Sequence, residues 1–206
     1  MGLGIRRRVM AATYDRLGRS AEPKLEQYRE RTAGRATGKV LELGGGTGAN
    51  LSFYNPEVEL IVAEPNPHMA RRLHQKAADL GREVTIVPDG GESLPFSDDS
   101  FDSVVSTLVM CSVKDLGVTL QEARRVLKAG GTFCFFEHVL ASGGMRRRYQ
   151  NWLNPPWRLL NGDCNINRDI QAAIQAAGFT RVELESFDLP IGPPVVRPTI
   201  VGAAWV

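Results

Sequence analysis

Short apolar runs rich in β-branched and aromatic residues alternate along this chain with stretches whose apolar residues recur every three or four positions. Parallel strands joined by crossover helices produce that alternation, because a buried strand is apolar throughout while its covering helix needs one apolar stripe. The runs predict strands at residues 40–43, 58–63, 84–87, 101–107, 132–137, 181–187 and 200–205. Met69, Leu73, Ala77 and Leu80 form one helical stripe, and Leu116, Leu120, Ala123 and Leu127 form another. A third helix is expected to open with Asn167 as its N-cap, bury Ile170 and Ile174, and stop at Gly178. The connection through Pro190, Pro193, Pro194 and Pro198 holds too much proline for a crossover helix, so the last two strands are expected to pair antiparallel. The predicted fold is α/β: a Rossmann-like, doubly wound, seven-stranded mixed sheet with its last strand antiparallel and helices on both faces.

Two regions break the alternation. Residues 1–36 read as a helical segment covering the site ahead of a main domain over 37–206, the whole making one structural domain. Residues 143–165 carry Arg146, Arg147, Arg148, Trp152, Pro155, Pro156 and Trp157, a combination that suits a solvated face and a cap over the substrate, with contact to a membrane surface as the alternative.

Composition narrows the classes. A chain of 206 residues suits one core, and 43% hydrophobic with 23% charged residues argues against disorder and fibrous repeats. A net charge of +2 is too small for a nucleic-acid footprint. Cys111, Cys134 and Cys164 are odd in number and lack paired spacing, which points to a reducing cytoplasm and to no metal. The segment from Met1 to Arg19 is basic, without an apolar run long enough for a signal peptide or membrane span, and leaves room for peripheral membrane contact.

Chemistry concentrates at Glu42-Leu43-Gly44-Gly45-Gly46-Thr47-Gly48-Ala49-Asn50, a strand entering a glycine-dense turn that is expected to lead into a helix. Glycines there permit positive φ and bring bare backbone against a ligand. Gly44, Gly46 and Ala49 fit the dinucleotide fingerprint, and Glu64 lies twenty residues beyond Gly44, where an acid would hold ribose hydroxyls. A nicotinamide oxidoreductase therefore fits this stretch, as does a module that binds a cofactor without turnover. Glu42 weighs the other way: an acid just ahead of the first glycine is a poor neighbour for pyrophosphate but suits a ligand with a cationic sulfonium and ammonium.

The stretch from Glu42 to Gly48 resembles the first motif of class I S-adenosylmethionine-dependent methyltransferases, and further motifs follow in order. Gly90-Gly91-Glu92-Ser93-Leu94-Pro95-Phe96, Phe101-Asp102-Ser103-Val104-Val105 and the turn from Arg125 to Thr132 resemble the ubiquinone-methyltransferase-like branch. That branch commonly has aspartate where this chain has Gly90, with Asp89 one residue earlier, so adenine is expected to be read by Asp89 after a local shift or by backbone around Gly91. Beyond residue 39, Thr47-Gly48-Ala49-Asn50, Glu64-Pro65-Asn66-Pro67-His68, the segment from Thr107 to Val113, Glu137-His138-Val139 and Arg197-Pro198-Thr199-Ile200 resemble the thiol-methylating methyltransferase-like proteins of animals, without their N-terminal hydrophobic anchor.

The resemblance implies S-adenosylmethionine as cofactor, S-adenosylhomocysteine as product, no metal, and a small-molecule acceptor, a thiol ahead of phospholipid amines or quinone carbons and oxygens. It implies a cofactor site drawn from Tyr14, Glu42, Gly44, Gly45, Gly46, Gly48, Asn50, Glu64, Pro65, Asn66, Met69, Asp89, Gly90, Gly91, Glu92, Thr107, Leu108 and Cys111. His138, just past the fifth strand, is the candidate base, since an imidazole can accept a thiol proton near neutral pH. A cytoplasmic or membrane-peripheral enzyme is expected; oligomeric state is left open.

Overall fold

The computed structural model describes residues 22–206; Tyr14 and the basic segment from Met1 to Arg19 lie outside them. β1 (Lys39–Leu43), β2 (Glu59–Ala63), β3 (Thr85–Val87), β4 (Phe101–Thr107), β5 (Leu127–His138), β6 (Arg181–Asp188) and β7 (Pro198–Trp205) form one sheet in the order β3-β2-β1-β4-β5-β7-β6. The first five strands pair in parallel. β7 runs antiparallel to both of its neighbours, β5 and β6, so the final strand alone is reversed.

The described α-helices are α1 (Glu22–Glu30), α2 (Pro67–Asp79), α3 (Leu116–Val126), α4 (Gly144–Leu160) and α5 (Ile170–Ala176). Alternation along β1 sends Leu41 and Leu43 to one face, into the core shared with Leu120 and Ala123 of α3 and Ile170 and Ile174 of α5. Val40 points to the other face, into the core shared with Leu73 and Ala77 of α2. Chain order reverses between β1 and β4, and the carboxyl ends of these two strands flank the crevice where such sheets bind ligands.

Several local expectations change. Leu80 is 48% exposed at the C-terminal cap of α2, where the helix stripe has already turned away from the sheet. Leu127, expected to finish the stripe of α3, instead opens β5, which starts earlier than its apolar run. α5 is capped by Asp169, whose carboxylate accepts from the Ala172 N–H at 3.1 Å, whereas Asn167 bonds Asn151 on α4. Gly178 does follow the helix in the left-handed conformation. After the glycine loop the chain forms successive i to i+3 turns rather than a regular helix.

Much of the stretch between β5 and α5 that broke the alternation is helical. α4 contains Pro155 and Pro156, each removing an N–H from the ladder, and Gln150 is its one buried residue. Gln150 holds the helix in place by accepting from Ala141 N–H and donating to the carbonyls of Val139 and Val195. Met145, Tyr149, Trp152, Leu159 and Leu160 remain exposed, Trp152 at 75%. No described helix is long and apolar enough to cross a membrane.

Candidate active site

Glu42 ends up inside the protein because strand alternation aims it at the α2 face, where it is 2% exposed. One carboxylate oxygen accepts from Asn50 Nδ2 at 2.8 Å, and the same amide donates to Thr107 Oγ1 at 3.1 Å. Asn50 Oδ1 accepts from Arg29 Nη1 at 2.6 Å, and Arg29 pairs with Glu22 at 3.2 Å. A buried polar chain thus ties α1 to the glycine loop and to the exit of β4. Burial pushes the Glu42 pKa up to about 7, against the opposing pull of Asn50, Tyr54 and Arg29. The Tyr54 hydroxyl lies near enough to favour the charge but completes no hydrogen bond, and Glu42 Oε2 has no partner among the described residues.

Glu64 is 5% exposed at the end of β2. Its two oxygens accept from Gly46 N–H at 2.8 Å and Asn66 N–H at 2.7 Å, so this acid joins the glycine loop to the start of α2. Asn66 also caps α2 through His68 N–H. Pro65 is exposed and Met69 half-buried on the rim. Gly44, Gly46 and Gly48 all have positive φ, yet their surroundings differ. A Cβ at Gly44 would lie 2.7 Å from Val109, and one at Gly48 2.7 Å from Leu51, whereas one at Gly46 meets nothing within 4 Å. Gly45 packs so closely on Val62 and Leu73 that a side chain has no room.

Asp89 lies half-exposed at the exit of β3, followed by exposed Gly90 and buried Gly91. Glu92, expected among the cofactor ligands, accepts from Lys114 N–H through Oε1 at 2.6 Å and braces the loop after β4. That loop is held chiefly by Glu137, which the sequence motifs do not single out as a functional group. Fully buried at the end of β5, Glu137 accepts from Ser106 Oγ at 2.6 Å, Val109 N–H at 3.1 Å and Met110 N–H at 3.2 Å. Burial raises its pKa against those three donors. Between the bonded segments, Leu108 takes φ +58, a left-handed conformation costly for a non-glycine residue. A charged residue closing an apolar strand was the available signal for Glu137; nothing in the sequence pattern marks Arg29.

Cys111 is buried in the loop after β4 and His138 at the end of β5, and both are joined by Cys164 from the turn between α4 and α5. His138 Nε2 is 3.2 Å from Cys164 Sγ. Burial disfavours the charged imidazole, but Cys164 and Glu137 outweigh it and raise the pKa of His138. The Cys111 thiol beside it, together with burial, pushes the Cys164 thiol far up.

Two features test the fit of S-adenosylmethionine: the unpartnered buried oxygen of Glu42 offers a counter-charge for a cation, and Gly46 leaves its side-chain position open on the loop. Both suit that cofactor, and the sheet order with its reversed last strand is that of the class I S-adenosylmethionine-dependent methyltransferases. Residues 41–135 match the methyltransferase domain family. Human thiol S-methyltransferase TMT1A is 38% identical over 169 residues, 80% of this chain and 69% of that protein. Human thiol S-methyltransferase TMT1B is 35% identical over 204 residues, 95% of this chain and 84% of that protein. A solved methyltransferase of Thermotoga maritima superposes with a TM-score of 0.64 at 19% identity, covering 95% of this chain and 99% of that one, a likeness of fold alone. The chain belongs to the S-adenosylmethionine-dependent methyltransferase family and is an enzyme of that class.

Proposed function

We propose that this methyltransferase acts on the sulfur of a small thiol. The observation carrying this reading is the similarity to two human thiol S-methyltransferases, one of which aligns with 95% of the chain. S-adenosylmethionine supplies an electrophilic methyl group on its sulfonium. Glu42 Oε2 serves as counter-charge to the cationic part of the cofactor, Glu64 receives the ribose hydroxyls, and Gly44, Gly46 and Gly48 give the methionine part access to backbone. Asp89, Gly90, Gly91, Met69 and Leu108 border the adenine, while Thr107 and Cys111 line the path between cofactor and acceptor. His138 stands at the acceptor side, where a thiol must lose its proton before attack. An ordinary thiol, with pKa about 8.5, is only a few per cent ionised near pH 7, so assistance there matters.

The described part of the segment ahead of β1, from Glu22 onward, covers the site in this reading, with Arg29 supplying its link to Asn50. Peripheral membrane contact belongs to the same reading: the exposed apolar side chains of α4 lie among Arg147 and Arg148, a combination suited to an anionic interface.

An acceptor panel with isotopically labelled methyl donor tests the assignment. Alkyl and aryl thiols are expected to accumulate labelled thioether, with amines, phenols and phosphatidylethanolamine well below them. Preferential labelling of an amine or a carbon acceptor would overturn it.

A further inference from the structure

Three sulfur and nitrogen donors meet where the acceptor is expected. One ligand atom from each of Cys111, His138 and Cys164 lies within 4.8 Å of the other two. The residues come from the loop after β4, the end of β5 and the turn between α4 and α5, so their spacing in sequence gives no hint of a site. The fold clasps these segments together. The carbonyl of Cys111 accepts from both the backbone N–H and the side-chain amide of Asn165, at 2.9 and 3.0 Å, which fixes the Cys164 turn against the Cys111 loop. Arg168 Nη1 adds a bond to the carbonyl of Met110 at 2.8 Å. Trp157 Nε1 donates to Cys164 Sγ at 3.4 Å, the kind of outer contact that stabilises a thiolate ligand.

The geometry is near that of a tetrahedral ion. Bonds of about 2.3 Å to sulfur and about 2.0 Å to nitrogen separate the donors by roughly 3.5–3.8 Å. From the present limit of 4.8 Å, that spacing needs a contraction of about 1 Å in the widest pair, while His138 Nε2 and Cys164 Sγ, now 3.2 Å apart, open slightly; both shifts are within the reach of small side-chain rotations. Two thiolates and one imidazole select a borderline or soft cation rather than magnesium or calcium.

We propose that Cys111, His138 and Cys164 bind one divalent cation of the zinc class and leave a fourth coordination position for the sulfur of the methyl acceptor. The ligand set stands on the cluster itself, whereas the use of the fourth position rests on the thiol reading above. Three protein ligands and one open position are the pattern of catalytic rather than structural zinc. Binding of the cation breaks the S–H bonds of Cys111 and Cys164, each sulfur keeping its electron pair as a metal-bound thiolate while two protons leave to solvent; coordination of the acceptor thiol breaks its S–H bond in the same way, and its proton also leaves to solvent. His138 then acts as a ligand, and no proton has to rest on the nitrogen that binds. Cys164 is half-buried, whereas Cys111 and His138 are buried.

Cobalt(II) titration of the full chain, reduced and freed of metal by a chelator, tests the site. One equivalent is expected to bind with a thiolate-to-cobalt charge-transfer band that Cys164→Ser and Cys111→Ser each weaken strongly and that Cys134→Ala leaves in place. A small alkyl thiol is expected to shift the cobalt ligand-field bands. Absence of the band, or a band unchanged in Cys164→Ser, overturns the metal site, as does a cluster that forms only a Cys111–Cys164 disulfide. A cobalt spectrum indifferent to thiol overturns the fourth-position role. Calorimetric titration with S-adenosylhomocysteine runs beside it: binding by Cys164→Ser shows that the variant is folded. Failure of the unaltered chain to bind S-adenosylhomocysteine while cobalt binds would sink the functional reading and leave the metal site standing.

Discussion

Replacing Glu42 by glutamine separates the cost of burying its charge from the use of that charge. In the folded chain its pKa stands at about 7, against an ordinary value of 4.5. At about 1.4 kcal/mol per pH unit, an ionised Glu42 costs the ligand-free fold about 3 kcal/mol. The folded-state pKa is the higher one, so the folded chain holds the proton more tightly than the unfolded chain. The cost is therefore absent below the unfolded pKa, grows as pH rises, and is complete once pH has passed the folded value. Glutamine keeps an oxygen for Asn50 Nδ2 and brings an N–H toward the otherwise unpaired Tyr54 hydroxyl. Near pH 8 the ligand-free Glu42→Gln variant is expected to be more stable by about 2–3 kcal/mol, which at roughly 2–4 °C per kcal/mol raises Tm by several degrees. Near pH 5 the gain shrinks to about 1 kcal/mol. Affinity for S-adenosylhomocysteine, which keeps its ammonium group, moves the opposite way and falls about 10–100-fold, the worth of one charge-assisted bond. Scanning calorimetry at both pH values, with titration of the ligand, measures all three quantities. A variant no more stable than the parent near pH 8, a gain independent of pH, or an unchanged ligand affinity would contradict this account of Glu42.

Gly45 and Gly46 are expected to fail in different ways. Gly45→Ala drives a methyl group into Val62 and to 2.8 Å from Leu73, so it should lower stability by about 1–3 kcal/mol in urea unfolding. Gly46→Ala meets no atom within 4 Å and bears chiefly the strain of φ +56, about 1–2 kcal/mol, while losing cofactor affinity in calorimetry; retained affinity would remove Gly46 from the binding surface. Glu137→Ala leaves the donors of Ser106, Val109 and Met110 without their acceptor, and a destabilisation of about 3–5 kcal/mol is expected, a result contradicted by a Tm within a degree or two of the parent.

Much of the scaffold is legible along the chain because its signals are local. Strand and helix periodicities follow from which faces must be dry, and the glycine loop and Glu64 lie at the carboxyl ends of the successive parallel strands β1 and β2, within one short stretch of chain. Tertiary contacts override local preference where structure and expectation part. Asp169 displaces Asn167 as the cap of α5, and Asn167 is engaged instead by Asn151 on α4. The Pro155-Pro156 segment is accommodated in a helix that Gln150 anchors through three buried backbone partners outside it.

Residues close together along the chain suffice for most strands and the cofactor loop, and the class of chemistry needs in addition the order of several such motifs. Packing of remote segments is what brings Arg29 to Asn50, fastens the loop after β4 to Glu137, and adds Cys164 to Cys111 and His138. Closing a longer loop costs only slightly more entropy than closing a shorter one, so many distant pairings are open to the same chain. Which of them forms is set by the fit of the whole core, and no periodicity or spacing in one sequence records it.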